Sequence, residues 1–131
     1  MIDPYVYIYI LPNFGCSENW GRKSLMASIL VVDDYVVTQR VLSAQLRKGG
    51  YEVTVAGSGY EALSCLTQQT FDLAIIDVAM PDMDGITLLE QIASSYRQLD
   101  MPIVMLTASV LDDDRDRARA AGAADFLTKP I

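Results

Sequence analysis

The chain has no histidine at all and only two cysteines among its 131 residues. The first absence excludes a histidine-based acid/base pair and any zinc site built on imidazole. Cys16 and Cys65 fit neither a disulfide framework nor the close pairing of a metal-binding motif. Basic residues are also scarce, with 10 Lys and Arg against 17 Asp and Glu and a formal charge of −7. Such a chain has no patch with which to displace counterions from a nucleic-acid backbone. Its natural complement is a cation or a basic protein surface. No run approaches the length of a membrane span, and the N-terminus lacks the basic-then-apolar form of a secretory signal. A soluble, cytoplasmic, reducing setting is therefore expected. What is plentiful is apolar side chain, 51% of the chain, enough for one compact domain with a single core.

That apolar content is organised. Short runs occur at Ile29–Val32, Val53–Ala56, Leu73–Ile76, Ile103–Leu106 and Phe126–Leu127. Between them lie segments of helical period, marked by Val37, Val41 and Ala44, then Ala62, Leu63 and Leu66, then Ile86, Leu89 and Ile92. Continuous apolar runs suit strands buried on both faces, and their alternation with helices predicts a parallel sheet with helices on either side. The fourth helical segment, Leu111–Ala121, has almost no apolar stripe. Asp112 and Asp116 stand at helical spacing from Arg115 and Arg119 and can pair with them, and Gly122 ends it. It reads as a solvated, lightly packed helix able to shift or to meet a partner.

The two ends depart from this alternation. Residues 1–27 start with Tyr5, Tyr7 and Tyr9 alternating with Val6, Ile8 and Ile10, a two-faced strand pattern followed by a polar linker. They are expected to be an appended or non-native extension before a native start near Met26. After the fifth apolar run the sequence stops at Ile131. The alternating fold is therefore expected to lack its last helix and to leave an apolar face bare, which the Tyr-rich strand or a second copy of the chain could cover.

The polar residues follow a rule of position. Four of the five apolar runs end, at the C-terminal tip, on a polar group: Asp33 and Asp34, then Asp77, then Thr107, then Lys129. In an open parallel sheet, ligands lie outside the carboxyl ends of the strands, so these groups are expected to share one crevice. Three carboxylates facing one ammonium repel one another, and a divalent cation relieves the conflict. An all-oxygen donor set selects a hard ion, magnesium or calcium, with Mg2+ favoured because it accepts a few carboxylates plus waters. Lys129 and Thr107 are then available to an anion beside the metal, for which phosphoryl oxygens are suited. Asp77 becomes a carboxylate nucleophile able to form an aspartyl phosphate.

With these residues in place, the sequence from Ser28 to Ile131 resembles the receiver domain of two-component response regulators. The pair Asp33-Asp34, Asp77 followed by VAMPDMDG, Thr107-Ala108 and Lys129-Pro130 occur in the family's order and at its usual spacings. The resemblance implies a doubly wound five-stranded sheet of order 2-1-3-4-5. It implies phosphotransfer from a histidine kinase or histidine phosphotransfer protein to Asp77, with Asp34, Asp77 and the Ala79 carbonyl holding Mg2+ and Asp33 acting through water. Thr107 and Phe126 match the family's switch pair, and the Lys129–Pro130 bond is expected to be cis. The domain is expected to be a phosphorylatable switch, not an enzyme with a turnover substrate, beyond catalysing its own phosphorylation and dephosphorylation.

Blander readings compete at each position. Asp33-Asp34 taken alone is a good helix cap, and Asp82 and Asp84 read as turn formers and caps. GSGYEA, Gly57–Ala62, has the form of a dinucleotide fingerprint but follows the second apolar run, so Ser58 is expected to cap a helix there. Two other functions compete. A receiver-like module that only binds a partner has no need of the five polar groups. A phosphohydrolase of outside substrates generally needs a carboxylate two residues past the nucleophile, where this chain has Ala79.

Overall fold

The computed structural model describes residues 28–81, 83–95, 101–107 and 112–128. Strands and helices alternate throughout: β1 (Ser28–Val32), α1 (Val36–Lys48), β2 (Glu52–Ala56), α2 (Gly59–Gln68), β3 (Leu73–Asp77), α3 (Gly85–Ser95), β4 (Ile103–Thr107), α4 (Asp112–Ala121) and β5 (Asp125–Thr128). All the pairings are parallel, in the order β2-β1-β3-β4-β5. Each expected apolar run is a strand, and Asp77 and Thr107 are the last residues of β3 and β4.

Strand side chains alternate between two cores, as the pleat requires. Leu30, Val32, Ala56, Ala74, Ile76 and Met105 face one side, where α2, α3 and α4 supply Ala62, Leu66, Ile86, Leu89, Ile92 and Ala118. Ile29, Val31, Val53, Leu73, Ile75, Val104, Leu106 and Leu127 face the other, with Leu42 and Leu46 of α1. The latter cluster is buried along its whole width, Leu106 to 1% exposure and Leu127 to 4%, although α1 is the one described helix in it. The N-terminal extension, Asp82 and the Lys129–Pro130 bond lie outside the described residues.

One helix is turned differently from its sequence pattern. The stripe Val37, Val41, Ala44 does not face the core: Val37 and Val41 are 53% and 41% exposed, and Ala44 is exposed too. The buried positions are Leu42, Ser43 and Leu46. Both sets have helical spacing, and the larger leucine side chains, not the β-branched stripe, meet the strands. By contrast the expected faces of α2 and α3 hold, with Ala62, Leu66, Ile86, Leu89 and Ile92 buried and Leu63 partly so.

The ends of the helices follow local chemistry. Ser58 Oγ accepts the Glu61 amide at 3.1 Å, capping α2, and Asp84 Oδ1 accepts the Thr87 amide at 2.7 Å, capping α3. Gly122 has φ +112, and the Gly122 and Ala123 amides close on Arg119 and Ala118 carbonyls as α4 ends. Among the described residues no helix is long and apolar enough to cross a membrane.

The rotation of α1 gives a direct test. Leu42→Ala should cost about 2–5 kcal/mol in urea denaturation. Val41→Ala, on the exposed side, should stay within about 0.5 kcal/mol of the parent.

Candidate functional site

The site grows out of strand register. Val32 of β1 lies beside Ile76 of β3, so the next residues, Asp33 and Asp77, emerge together at the carboxyl edge of the sheet. Asp77 pairs with Leu106 of β4, which puts Thr107 one step beyond it. Carboxylate oxygens of Asp33, Asp34 and Asp77 all come within 4.8 Å of one another. Asp33 is fully buried and Asp77 is 2% exposed, while Asp34 is exposed.

The competing reading of Asp33-Asp34 as a helix cap does not hold. The N-cap of α1 is Tyr35, which makes no side-chain cap bond, and its first turn carries no acidic residue. Asp33 Oδ1 instead accepts the Tyr35 amide at 2.8 Å, within the turn itself. Its own amide donates to the Ala56 carbonyl at 3.1 Å, and its carbonyl accepts from the Gln39 side-chain amide. The opposite edge of the sheet offers a contrast. There Asp72 exchanges two 2.7 Å bonds with Ser28, its amide donating to the Ser28 carbonyl and its Oδ2 accepting the Ser28 amide. That carboxylate ties down a strand start.

The loop after Asp77 is folded tightly back on it. The Val78 amide donates to Leu106 at 2.9 Å and the Gly85 amide donates to the Val78 carbonyl at 2.8 Å. A Cβ at Gly85 would stand 2.0 Å from the Asp77 carbonyl oxygen, a main-chain atom with no room to yield. Glycine is therefore required for α3 to start this close to Asp77. Gly59 has a similar reason: a Cβ there would lie 2.7 Å from Met83 Sδ. The second glycine of GSGYEA thus admits the β3–α3 loop, and with Ser58 capping α2 that segment has a packing explanation instead of a dinucleotide one.

Of the other expected residues, Ala79 is exposed two positions past Asp77, and Phe126 is partly buried on β5 beside Met105 of β4. The Arg119 guanidinium stands 5.4 Å from the centre of the Phe126 ring, a contact the sequence pattern did not foretell. Lys129 follows directly on Thr128, the end of β5, but lies outside the described residues. Cys65 has no part here: burial, and then the charge of Glu61, push its thiol above the ordinary range.

Chemically, the cluster is one that could hold a hard cation. Asp33 and Asp77, both withdrawn from water, repel by about 3–4 kcal/mol at the effective dielectric usual for proteins. Oxygen-only donors held this closely fit Mg2+ or a similar ion.

The sequence as a whole was compared with known families, and the profile of the response regulator receiver domain matches residues 29–131. The chain belongs to this family. It is 39% identical over 107 residues to the response regulator PleD of Caulobacter vibrioides, covering 82% of this chain and 24% of that protein. It is 37% identical over 104 residues to the probable transcriptional regulatory protein TcrX of Mycobacterium tuberculosis, covering 79% of this chain and 44% of TcrX. This receiver chain thus spans less than half the length of either relative. The structure of the chemotaxis protein CheY4 of Vibrio cholerae superposes with a TM-score of 0.78 at 34% identity, covering 82% of this chain and 89% of CheY4.

Gly85→Ala should destabilise this receiver by about 1–3 kcal/mol, the usual cost of forcing a group into filled space. Chemical denaturation of the purified variant measures it, and parental stability would contradict the close approach.

Proposed function

We propose that this receiver accepts a phosphoryl group on Asp77 from a phosphohistidine donor, with Mg2+, and changes conformation in response. The observation that carries the proposal is the convergence of Asp33, Asp34 and Asp77 at the carboxyl edge of the sheet. One carboxylate on a buried strand end is an expensive way to solvate a loop. Three at one point are explained by a cation and by a nucleophile that needs it.

In this reading Asp34, Asp77 and the Ala79 carbonyl would hold Mg2+, with Asp33 acting through water. Bound there, the ion would supply the positive charge that lets an anionic phosphoryl group approach three carboxylates. An Asp77 carboxylate oxygen attacks phosphorus as the P–N bond to the donor histidine breaks. The donor imidazole, protonated on its other ring nitrogen, leaves with the bonding electron pair as the neutral ring, and Asp77 carries an acyl phosphate. The Thr107 hydroxyl and the Lys129 ammonium would bind phosphoryl oxygens. Thr107 drawn toward them would vacate space into which the Phe126 ring turns. The domain then acts as a switch with self-catalysed phosphorylation and dephosphorylation. Ala79, standing where a phosphohydrolase would place its acid/base carboxylate, is consistent with that role.

The surroundings favour a protein as donor. Tyr35, Val36, Val37 and Val41 are each between 41% and 58% exposed and follow Asp33-Asp34 directly along the chain. An apolar surface contiguous with a charged site suits a partner that must both dock and deliver a phosphoryl group. A histidine kinase or histidine phosphotransfer protein is the fitting class.

Incubation with a small phosphodonor and Mg2+ should label Asp77, and Asp77→Asn should abolish the label; undiminished labelling of the Asn variant would refute the assignment. Val41→Asp should slow transfer from a histidine phosphotransfer protein at least tenfold, the loss expected when a central contact worth about 1.4 kcal/mol or more is removed. Its labelling by the small donor should be unaffected, and an equal loss with both donors would remove the docking role.

A further inference from the structure

Asp34 is the least constrained of the three carboxylates. It is exposed, whereas Asp33 and Asp77 are set by buried strand ends. Its direction is governed by the peptide that joins it to Asp33. The carbonyl of that peptide accepts a hydrogen bond from Nε2 of Gln39, in the second turn of α1. The Gln39 main-chain amide in turn donates to the Tyr35 carbonyl at 3.0 Å, so the same residue starts the helix and reaches back to the turn before it.

We propose that Gln39 is a positioning residue for the metal site: its side-chain amide fixes the Asp33–Asp34 peptide plane and thereby aims the Asp34 carboxylate at Asp77. The inference rests on the phosphoacceptor reading and deepens it. Three anchors meet at Asp33. Its amide is held by Ala56 of β2, its Oδ1 by the Tyr35 amide, and its carbonyl by Gln39. The first two hold the residue and its side chain. The third sets the rotation of the peptide leading to Asp34, on which the direction of the Asp34 Cα–Cβ bond depends. Gln39 is itself partly enclosed. A Cβ placed on Gly57 would lie 3.6 Å from its Nε2 and 3.7 Å from Glu61 Oε2, so the β2–α2 turn closes over it.

The role is separable from charge. Gln39→Met keeps the length and removes the donor. Gln39→Glu keeps the shape, removes the donor and adds a negative charge beside a cation site. If charge alone governed the site, the Glu variant would bind Mg2+ more tightly; if orientation governs it, both variants bind more weakly. Calorimetric titration of the full 131-residue chain with Mg2+ should show each variant weakened roughly tenfold, the lower end of what removal of a ligand's support costs. The Mg2+ concentration for half-maximal labelling of Asp77 should rise in parallel, with the plateau rate falling far less. Thermal unfolding without metal reports any structural cost separately, and the titrations are run below both transitions. A Met variant with parental affinity, or a Glu variant with higher affinity, overturns the assignment to Gln39. A parent chain that binds no Mg2+ overturns the phosphoacceptor reading as well.

Discussion

The structure depends on forcing like charges together. Asp33 and Asp77 leave adjacent strands at the same level and have almost no contact with water, and Asp34 joins them within 4.8 Å. Their repulsion, a few kcal/mol for the buried pair, opposes the fold. The opposing term is larger. Ile29, Leu30, Val31 and Val32 of β1 and Leu73, Ala74, Ile75 and Ile76 of β3 are all fully buried. Burying each of the larger ones is worth about 1.5–3 kcal/mol. The strands thus set the register, and the carboxylates at their tips have to accept the company that register imposes. A cation at this point, as the proposed function has it, would relieve that repulsion.

The loops keep this arrangement from relaxing. A carboxylate at the end of a strand can turn to cap the next helix and lose its value as a ligand. Here the capping work is done by other residues, Ser58 for α2 and Asp84 for α3, while α1 has no side-chain cap at all. Asp33 is secured by its own turn and by Gln39, and the start of α3 is brought onto the Asp77 main chain because residue 85 has no Cβ. Asp72, at the far edge, shows what a carboxylate does when it serves structure alone: it satisfies main-chain amides.

Most of this was legible in the sequence, for a physical reason. Strands buried on both faces must be continuously apolar, so a charged residue at the tip of such a run stands out, and the order of tips gives the order of ligands. The face of α1 was not legible. Val37, Val41 and Ala44 have as good a period as Leu42 and Leu46, and periodicity alone does not say which stripe meets the sheet. That depends on how the three residues after Val32 turn the chain, a tertiary matter. Gln39 was hidden for the same reason, since a glutamine in a helix looks like ordinary surface until the loop it reaches is in place. Arg119 over Phe126 likewise joins residues whose meeting depends on the turn at Gly122.

The thin packing of α4 gives the site a means of being felt elsewhere. Among its side chains from 116 to 121, Ala118 alone is buried, and the contact of exposed Arg119 with the Phe126 ring is worth about 0.5–1 kcal/mol. β4 and β5, which flank its approach, are pinned by parallel pairing along their length. The strands are therefore the rigid elements here, and among its described side chains α4 is seated on little apolar area. Displacement costs least where least is buried, so if the proposed switch operates, α4 and the ring that Arg119 covers are where an adjustment at the end of β4 would be absorbed. The charged, nearly stripe-free sequence of α4 suits that role, since a helix with the apolar face of α3 would be more firmly seated.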